Sequence, residues 1–86
     1  MSEEEVEEIG QITHFFSNIS VAVIELKASL SVGDTILIKG PNTDFEQVVD
    51  SMQIEHKNVQ KAEKGQSIGL KVAQKVRETD TVYKKI

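Results

Sequence analysis

The stretch "LSVGDTILIKGPNTD", residues 30–44, decides how this chain is read, because it places a turn, a strand and a breaker in direct succession. Leu30-Ser31-Val32-Gly33-Asp34 carries the glycine and aspartate of a tight turn. Thr35-Ile36-Leu37-Ile38-Lys39 is rich in β-branched residues, which favour an extended strand. Gly40-Pro41-Asn42-Thr43-Asp44 then stops that strand, since Pro41 fixes φ and both Gly and Asn tolerate turn geometry.

The same rhythm continues in both directions. Upstream, Ile9 to Phe16 is a first strand, Ser17-Asn18 a turn, and Ile19 to Lys27 a second strand. From residue 21 to 24 that second strand is apolar on both faces, so part of it should be central and covered on either side, with Ala22, Ile24 and Leu26 sharing one face. Downstream, "NTDFEQVVDSMQIEHK", residues 42–57, reads as one long strand. Val48, Met52 and Ile54 fit an inward face if a bulge falls near Val49-Asp50, leaving Gln47, Gln53 and Glu55 outside. Residues 58–66 are polar apart from Val59 and Ala62, which would pin a looping segment or a single helical turn. Ser67 to Val72 is a further strand with Ile68, Leu70 and Val72 inward, and Thr81 to Ile86 closes the chain.

Six short strands spaced about ten residues apart and divided by Gly, Asp and Asn turns argue for an antiparallel all-β domain. A small closed six-stranded Greek-key β-barrel is expected, because so short a chain removes its exposed edges by closing on itself. Ser2-x-x-Glu5 fits a capping box, yet Gly10 follows too soon for a stable helix. Residues 1–6 are therefore expected to be a flexible acidic tail and 7–86 a single barrel domain.

Composition narrows the chemistry. The 86 residues contain no cysteine, which excludes disulfides and thiolate metal sites and fits a reducing cytosol. No basic and apolar leader opens the sequence and no apolar run approaches a bilayer span, so a cytoplasmic protein with no membrane contact is expected, and the Asn18-Ile19-Ser20 sequon is read as chance. Five of the 14 acidic residues lie at positions 3, 4, 5, 7 and 8, leaving nine acids against ten bases elsewhere. The body is thus nearly neutral, and its C-terminal lysines read as a solvated surface more readily than as the basic stripe of a nucleic-acid binder.

Catalytic signatures are missing from the sequence. There is neither a G-x-x-x-x-G-K-[ST] phosphate loop nor a G-x-G-x-x-G fingerprint, and the nucleophile elbow G-x-S-x-G is absent. His14 and His56 are too few for a histidine zinc site without carboxylates supplied by the fold. Neither catalysis, a cofactor, a metal nor nucleotide hydrolysis is expected.

Two resemblances are carried by particular residues. The run Leu30-x-Val32-Gly33-Asp34-x-Ile36-x-Ile38-x-Gly40, with Ser51-Met52-Gln53 and Ala62-x-x-Gly65-x-x-Ile68-Gly69-Leu70, resembles the second domain of translational GTPases of the elongation factor Tu type. In that pattern Gly33 permits a tight turn, Gly65 a left-handed position and Gly69 close strand approach. From Ile9-Gly10 to Asp80-x-Val82-Tyr83-Lys84, and most specifically in the run from Ser51 to Lys57, the chain also resembles the small C-terminal barrel of collagenase-like peptidases and its stand-alone relatives. Neither resemblance brings a catalytic domain with it, because the GTPase and peptidase regions lie elsewhere in those proteins.

What the resemblance implies is a non-catalytic, elongation factor domain 2-like barrel serving as an RNA- or protein-binding adaptor linked to translation or RNA modification. The alternative is a detached accessory domain that docks on a separately encoded peptidase-like enzyme. The candidate binding surface is Thr43, Asp44, Phe45, Gln47, Gln53, His56 and Lys57, with His14 and Phe15 beside it. Its partner would be RNA (tRNA or rRNA) or a protein, approached by a monomer. An apolar exposed patch would favour docking on an enzyme, whereas a basic groove of Lys57, Lys71, Lys75 and Arg77 would favour RNA. Phe15 and Phe45 matter most if exposed, where an aromatic ring stacks on a base or anchors an interface; otherwise they cap the barrel ends and the polar residues serve turns.

Overall fold

A computed structural model describes residues 5–85 and shows an all-β protein with no helix among them. The tail expected at residues 1–6 falls largely outside the described residues, and of its last two Val6 already lies in a strand. The strands are β1 (Val6–Phe16), β2 (Val21–Leu26), β3 (Leu30–Ser31), β4 (Thr35–Gly40), β5 (Thr43–Val48), β6 (Met52–Ile54), β7 (Lys57–Val59), β8 (Lys61–Ala62), β9 (Ser67–Lys71) and β10 (Thr81–Lys85). Eight of them form one antiparallel sheet in the order β5-β4-β10-β1-β2-β9-β6-β7, and β3 pairs with β8 in a second. The expected run of six thus becomes ten, because the stretch 42–57 divides into β5, β6 and the start of β7, residues 58–66 hold extended pairs in place of a loop or helical turn, and the segment expected as a turn at 30–34 contributes β3.

Alternation on β2, β4 and β9 follows the pattern read from the sequence. Ala22, Ile24 and Leu26, then Ile36 and Ile38, then Ile68 and Leu70 are buried, and Val72, Val76 and Val82 join them in one core. β1 departs from strict alternation because it carries two register shifts. One lies between Glu8 and Gly10 against β10 and the other between Ile12 and His14 against β2. Each shift adds a residue to one strand and reverses which side chains face the core beyond it. Ile9 and Ile12 can therefore both be buried, while past the second shift Phe15 turns toward the core and His14 and Phe16 turn away.

The face expected for the stretch 42–57 is corrected at its first strand. Ile36, Ile38 and Gly40 of β4 stand opposite Gln47, Phe45 and Thr43 of β5. Directly opposed residues of an antiparallel pair share a face. Because Ile36 and Ile38 point inward, Gln47 does too, and Val48 points out. Val48 is 50% exposed, and Val49 takes its place in the core at 0%. Two backbone hydrogen bonds hold that arrangement: Gly33 N–H donates to Val49 O at 2.9 Å, and Val49 N–H donates to Asp34 O at 2.9 Å. Gly33 sits at φ 98°, the left-handed region its lack of a side chain permits. Asp34 completes the turn by accepting a bond from Ser31 N–H through Oδ2 at 2.9 Å.

Close approach occurs at a glycine other than the one expected. A side chain at Gly69 would meet only ordinary contacts, the nearest being Val21 Cγ1 at 3.5 Å, whereas one at Gly40 would collide with the carboxylate of Asp80. Asp80 is 1% exposed. Its carboxylate accepts a hydrogen bond from Arg77 N–H at 2.9 Å, and its backbone carbonyl accepts one from Ile12 N–H at 2.9 Å. The turn before β10 is thereby tied to the middle of β1.

The opposite fates of adjacent valines give a stability test. Val49→Ala should cost about 2 kcal/mol, as expected of a buried truncation that leaves a cavity, whereas Val48→Ala should change stability by no more than about 0.5 kcal/mol. Urea unfolding followed by circular dichroism reads both, and equal costs would contradict the inward placement of Val49.

Candidate functional site

The seven residues expected to form one surface are sorted by the fold into two groups. Thr43, Asp44, Phe45 and Gln47 lie on β5 at one end of the eight-strand order, while Gln53, His56 and Lys57 lie on the β6–β7 hairpin at the other. Within the first group Asp44 alone is exposed. Thr43 is 5% exposed, and Phe45 packs against the core. Gln47 spends its amide internally, donating to Lys71 O at 3.0 Å and accepting from Ala73 N–H at 2.8 Å. It borders a shallow depression with Val48, Asp50, Ser51, Lys71 and Val72.

Gln53 and His56 of the second group border a groove of about 270 Å³ on the outer face of β2, β9 and β6, and Lys57 lies outside its lining. Its walls follow from registers already described. Val21 and Val23 alternate with inward Ala22 and Ile24; Gly69 lies opposite Val23, and Gln53 lies opposite Gly69. At one end stand Phe16, 44% exposed, and Ile19, 57% exposed at the tip of the β1–β2 turn. At the other stand Glu55 and His56 of the hairpin tip. Because Gly69 has no side chain, the floor between Val21 and Gln53 is open.

The aromatic placement left open by the sequence is settled by packing. Phe15 and Phe45 both pack against the core, and Phe16 is the exposed phenylalanine. The His14 ring lies beside it, centroids 4.4 Å apart, and His14 Nδ1 is 3.2 Å from Glu78 Oε2. A signal for this face was present in the sequence. The two-sided apolar character of residues 21–24 implied a covering layer on each side, and on the outer side Val21 and Val23 are only half-buried.

The hairpin tip is strained. Ile54 pairs with Lys57, so Glu55 and His56 form a two-residue loop, with φ of 51° and 67°. Such a turn demands positive φ at both positions, and Asn-Gly is its preferred sequence. Histidine enters this region more readily than most side chains; glutamate is not among those that favour it. Gln53 Nε2 braces the hairpin by donating to Asn58 Oδ1 at 3.1 Å.

Charges elsewhere are mostly local and solvated. Lys27 lies 2.9 Å from Glu8, whose hydrogen bond and charge raise the lysine pKa. Lys85 pairs with Glu46 across the β10 and β5 side of the sheet at 3.0 Å. No three of His, Cys, Asp and Glu among the described residues come together as a metal-binding group.

Comparison with known proteins locates this domain inside larger ones. No protein-family model matches the chain. An uncharacterized protease of Methanocaldococcus jannaschii is 52% identical over 77 residues, which is 88% of this chain and 19% of that protein. A collagenase of Porphyromonas gingivalis is 38% identical over 78 residues, 88% of this chain and 22% of the collagenase. This chain therefore spans about a fifth of the curated relatives it matches. Among solved structures, the C-terminal domain of a Geobacillus thermoleovorans protein assigned to the U32 peptidases superimposes with a TM-score of 0.86, covering 93% of each chain at 19% identity. Its selenomethionine variant gives 0.84, with 88% of this chain and 96% of the other covered.

Relieving the left-handed backbone at Glu55-His56 should stabilise the domain. The double substitution Glu55→Asn with His56→Gly should add about 1–2 kcal/mol, given the cost of left-handed geometry for ordinary residues, and so raise Tm by about 4–8 °C per kcal/mol for a domain of this size. Calorimetry reads the shift; an unchanged or lower Tm would show that the tip stores no such strain. The chain is homologous to a segment of the protease and collagenase sequences, and it has the fold of the C-terminal domain of a U32 peptidase.

Proposed function

We propose that this domain is a non-catalytic accessory unit that docks on a peptidase-like enzyme of the U32 or collagenase kind and helps position its substrate. The observation that carries the reading is the apolar groove on the outer side of β2, where half-buried Val21 and Val23 adjoin exposed Phe16 and Ile19. Val21, Val23, Phe16 and Ile19 lie together on the outside of a domain homologous to a segment of proteases. Desolvating such a face on a partner is favourable by roughly 25 cal/mol per Å² of apolar surface. Isolated apolar residues on a surface need no explanation, but a contiguous groove with a polar rim is the usual form of an interaction site.

The finer architecture in this reading is a closed Greek-key barrel of the translation-protein type. It is supported by Gln47, whose amide links β5 to the segment leaving β9 and so connects strands far apart in the sheet order. A second reading, an adaptor for tRNA, rRNA or a translation protein, draws on the likeness to elongation factor Tu domain 2. Lys57, Lys71, Lys75 and Arg77 are all exposed, as that reading requires.

Docking is tested with the Methanocaldococcus jannaschii protease from which the homologous segment has been removed, its folding checked by circular dichroism against the intact protein. The domain should bind it in calorimetry, and Phe16→Asp or Gly69→Val should weaken binding at least tenfold while leaving the domain folded. Absence of binding, together with salt-sensitive binding of tRNA, would shift the assignment to the RNA reading.

A further inference from the structure

Resting on that docking reading, we propose that the groove recognises a chain segment in which an aliphatic side chain is followed directly by a lysine or arginine. The aliphatic group would lie on Gly69 between Val21 and Val23, and the cation would meet the carboxylate of Glu55. Three observations converge on this occupant. At about 270 Å³ and open to solvent, the groove lies below the usual size of an enclosed small-molecule pocket and suits a side chain presented by another protein. Val21 and Val23 supply an apolar floor beside Gly69, where an added side chain would still find space, and Gln53 and Ser67 supply its polar border. Glu55 is the one carboxylate among the lining residues, no lysine or arginine lines the groove, and Glu55 has no ion-pair partner among the described residues.

The hairpin geometry adds an independent reason to single out Glu55. A glutamate held at φ 51° occupies a position where asparagine would be less costly, and strained residues cluster where a side chain is held for recognition. Its carboxylate is thereby carried to the rim of an apolar face, where a cationic neighbour of the buried group would reach it. An exposed pair of this kind contributes modestly, so apolar contact supplies most of the affinity and the charge supplies selectivity.

The test uses the full chain, labelled with 15N, and two capped tetrapeptides, acetyl-Gly-Leu-Lys-Gly-amide and acetyl-Gly-Leu-Glu-Gly-amide. The lysine peptide should shift the amide signals of Phe16, Val21, Val23 and Gly69 and bind about two- to fivefold more tightly than the glutamate peptide at low salt, the range of an exposed ion pair. Glu55→Gln should abolish that difference, and Gly69→Val should abolish both titrations. Equal binding of the two peptides, or a preference that survives Glu55→Gln, overturns the proposal, as do shifts confined to other residues. In the protease docking assay, loss of binding with Phe16→Asp but full retention with Glu55→Gln would sink the cation and leave docking intact. Retention with both variants would remove the groove from the docking surface and overturn the proposal, whereas absence of binding by the unsubstituted domain would remove the docking reading itself.

Discussion

The paired backbone hydrogen bonds between Val49 and the turn at Gly33-Asp34 set the course of the middle of the chain. They fix which of two adjacent valines enters the core, and they end β5 where it would otherwise run on into β6. An equivalent exchange occurs at the far end of β2. There Gly65 N–H donates to Leu26 O and Leu26 N–H donates to Gln66 O, both at 2.9 Å. Each clamp has a positive-φ glycine, Gly33 or Gly65, on one side and a buried aliphatic residue on the other. Polar backbone groups are thus satisfied where the chain leaves the ladder, which a thin core requires, since an unpaired buried amide would cancel much of what an aliphatic side chain contributes. Between the two clamps, Val32 N–H donates to Gln60 O and the small β3–β8 pair forms, covering Leu30 and Ala62.

Around that frame, irregularities in β1 do the work of orientation. Its two register shifts allow an 11-residue strand to serve β10 with one half and β2 with the other. The shift at Ile12/His14 is what turns Phe16 outward, beside Val21, and so creates one end of the groove. Packing and candidate function are therefore linked through a single bulge. Had β1 kept strict alternation, Phe16 would face the core and Phe15 the solvent.

The groove is notable for the order in which its parts arise. Val21 and Val23 belong to a central strand whose inner face is packed by Ala22, Ile24 and Leu26. Its outer face is left half-buried at Val21 and Val23, with the exposed Phe16 and Ile19 beside it. Gly69 keeps the floor low without any demand from the backbone, and Glu55 is carried to the rim by a turn that ordinary sequence preferences would build differently. An apolar strand face, an unfilled floor and a strained charged tip are separately unremarkable. Their coincidence in one place is what supports a docking site, and the homology to a segment of larger proteases supplies a class of partner.

Local chemistry alone made much of the fold readable. Gly33-Asp34 and Gly40-Pro41 announced turns, and the alternation of β2, β4 and β9 announced their buried faces, because those properties belong to neighbouring residues within one strand. The apolar outer face of residues 21–24 was legible too, though it reads as covered until the neighbours are known. What the tertiary structure decided was parity and proximity. Val49 replaced Val48, Gln47 turned inward, and Phe16 became the exposed ring while Phe15 packed on the core, because opposed strands impose a shared face and bulges reset it. The candidate residues fell on β5 and on the β6–β7 hairpin, and strand partnership, which no local pattern encodes, determines which side chains each group meets.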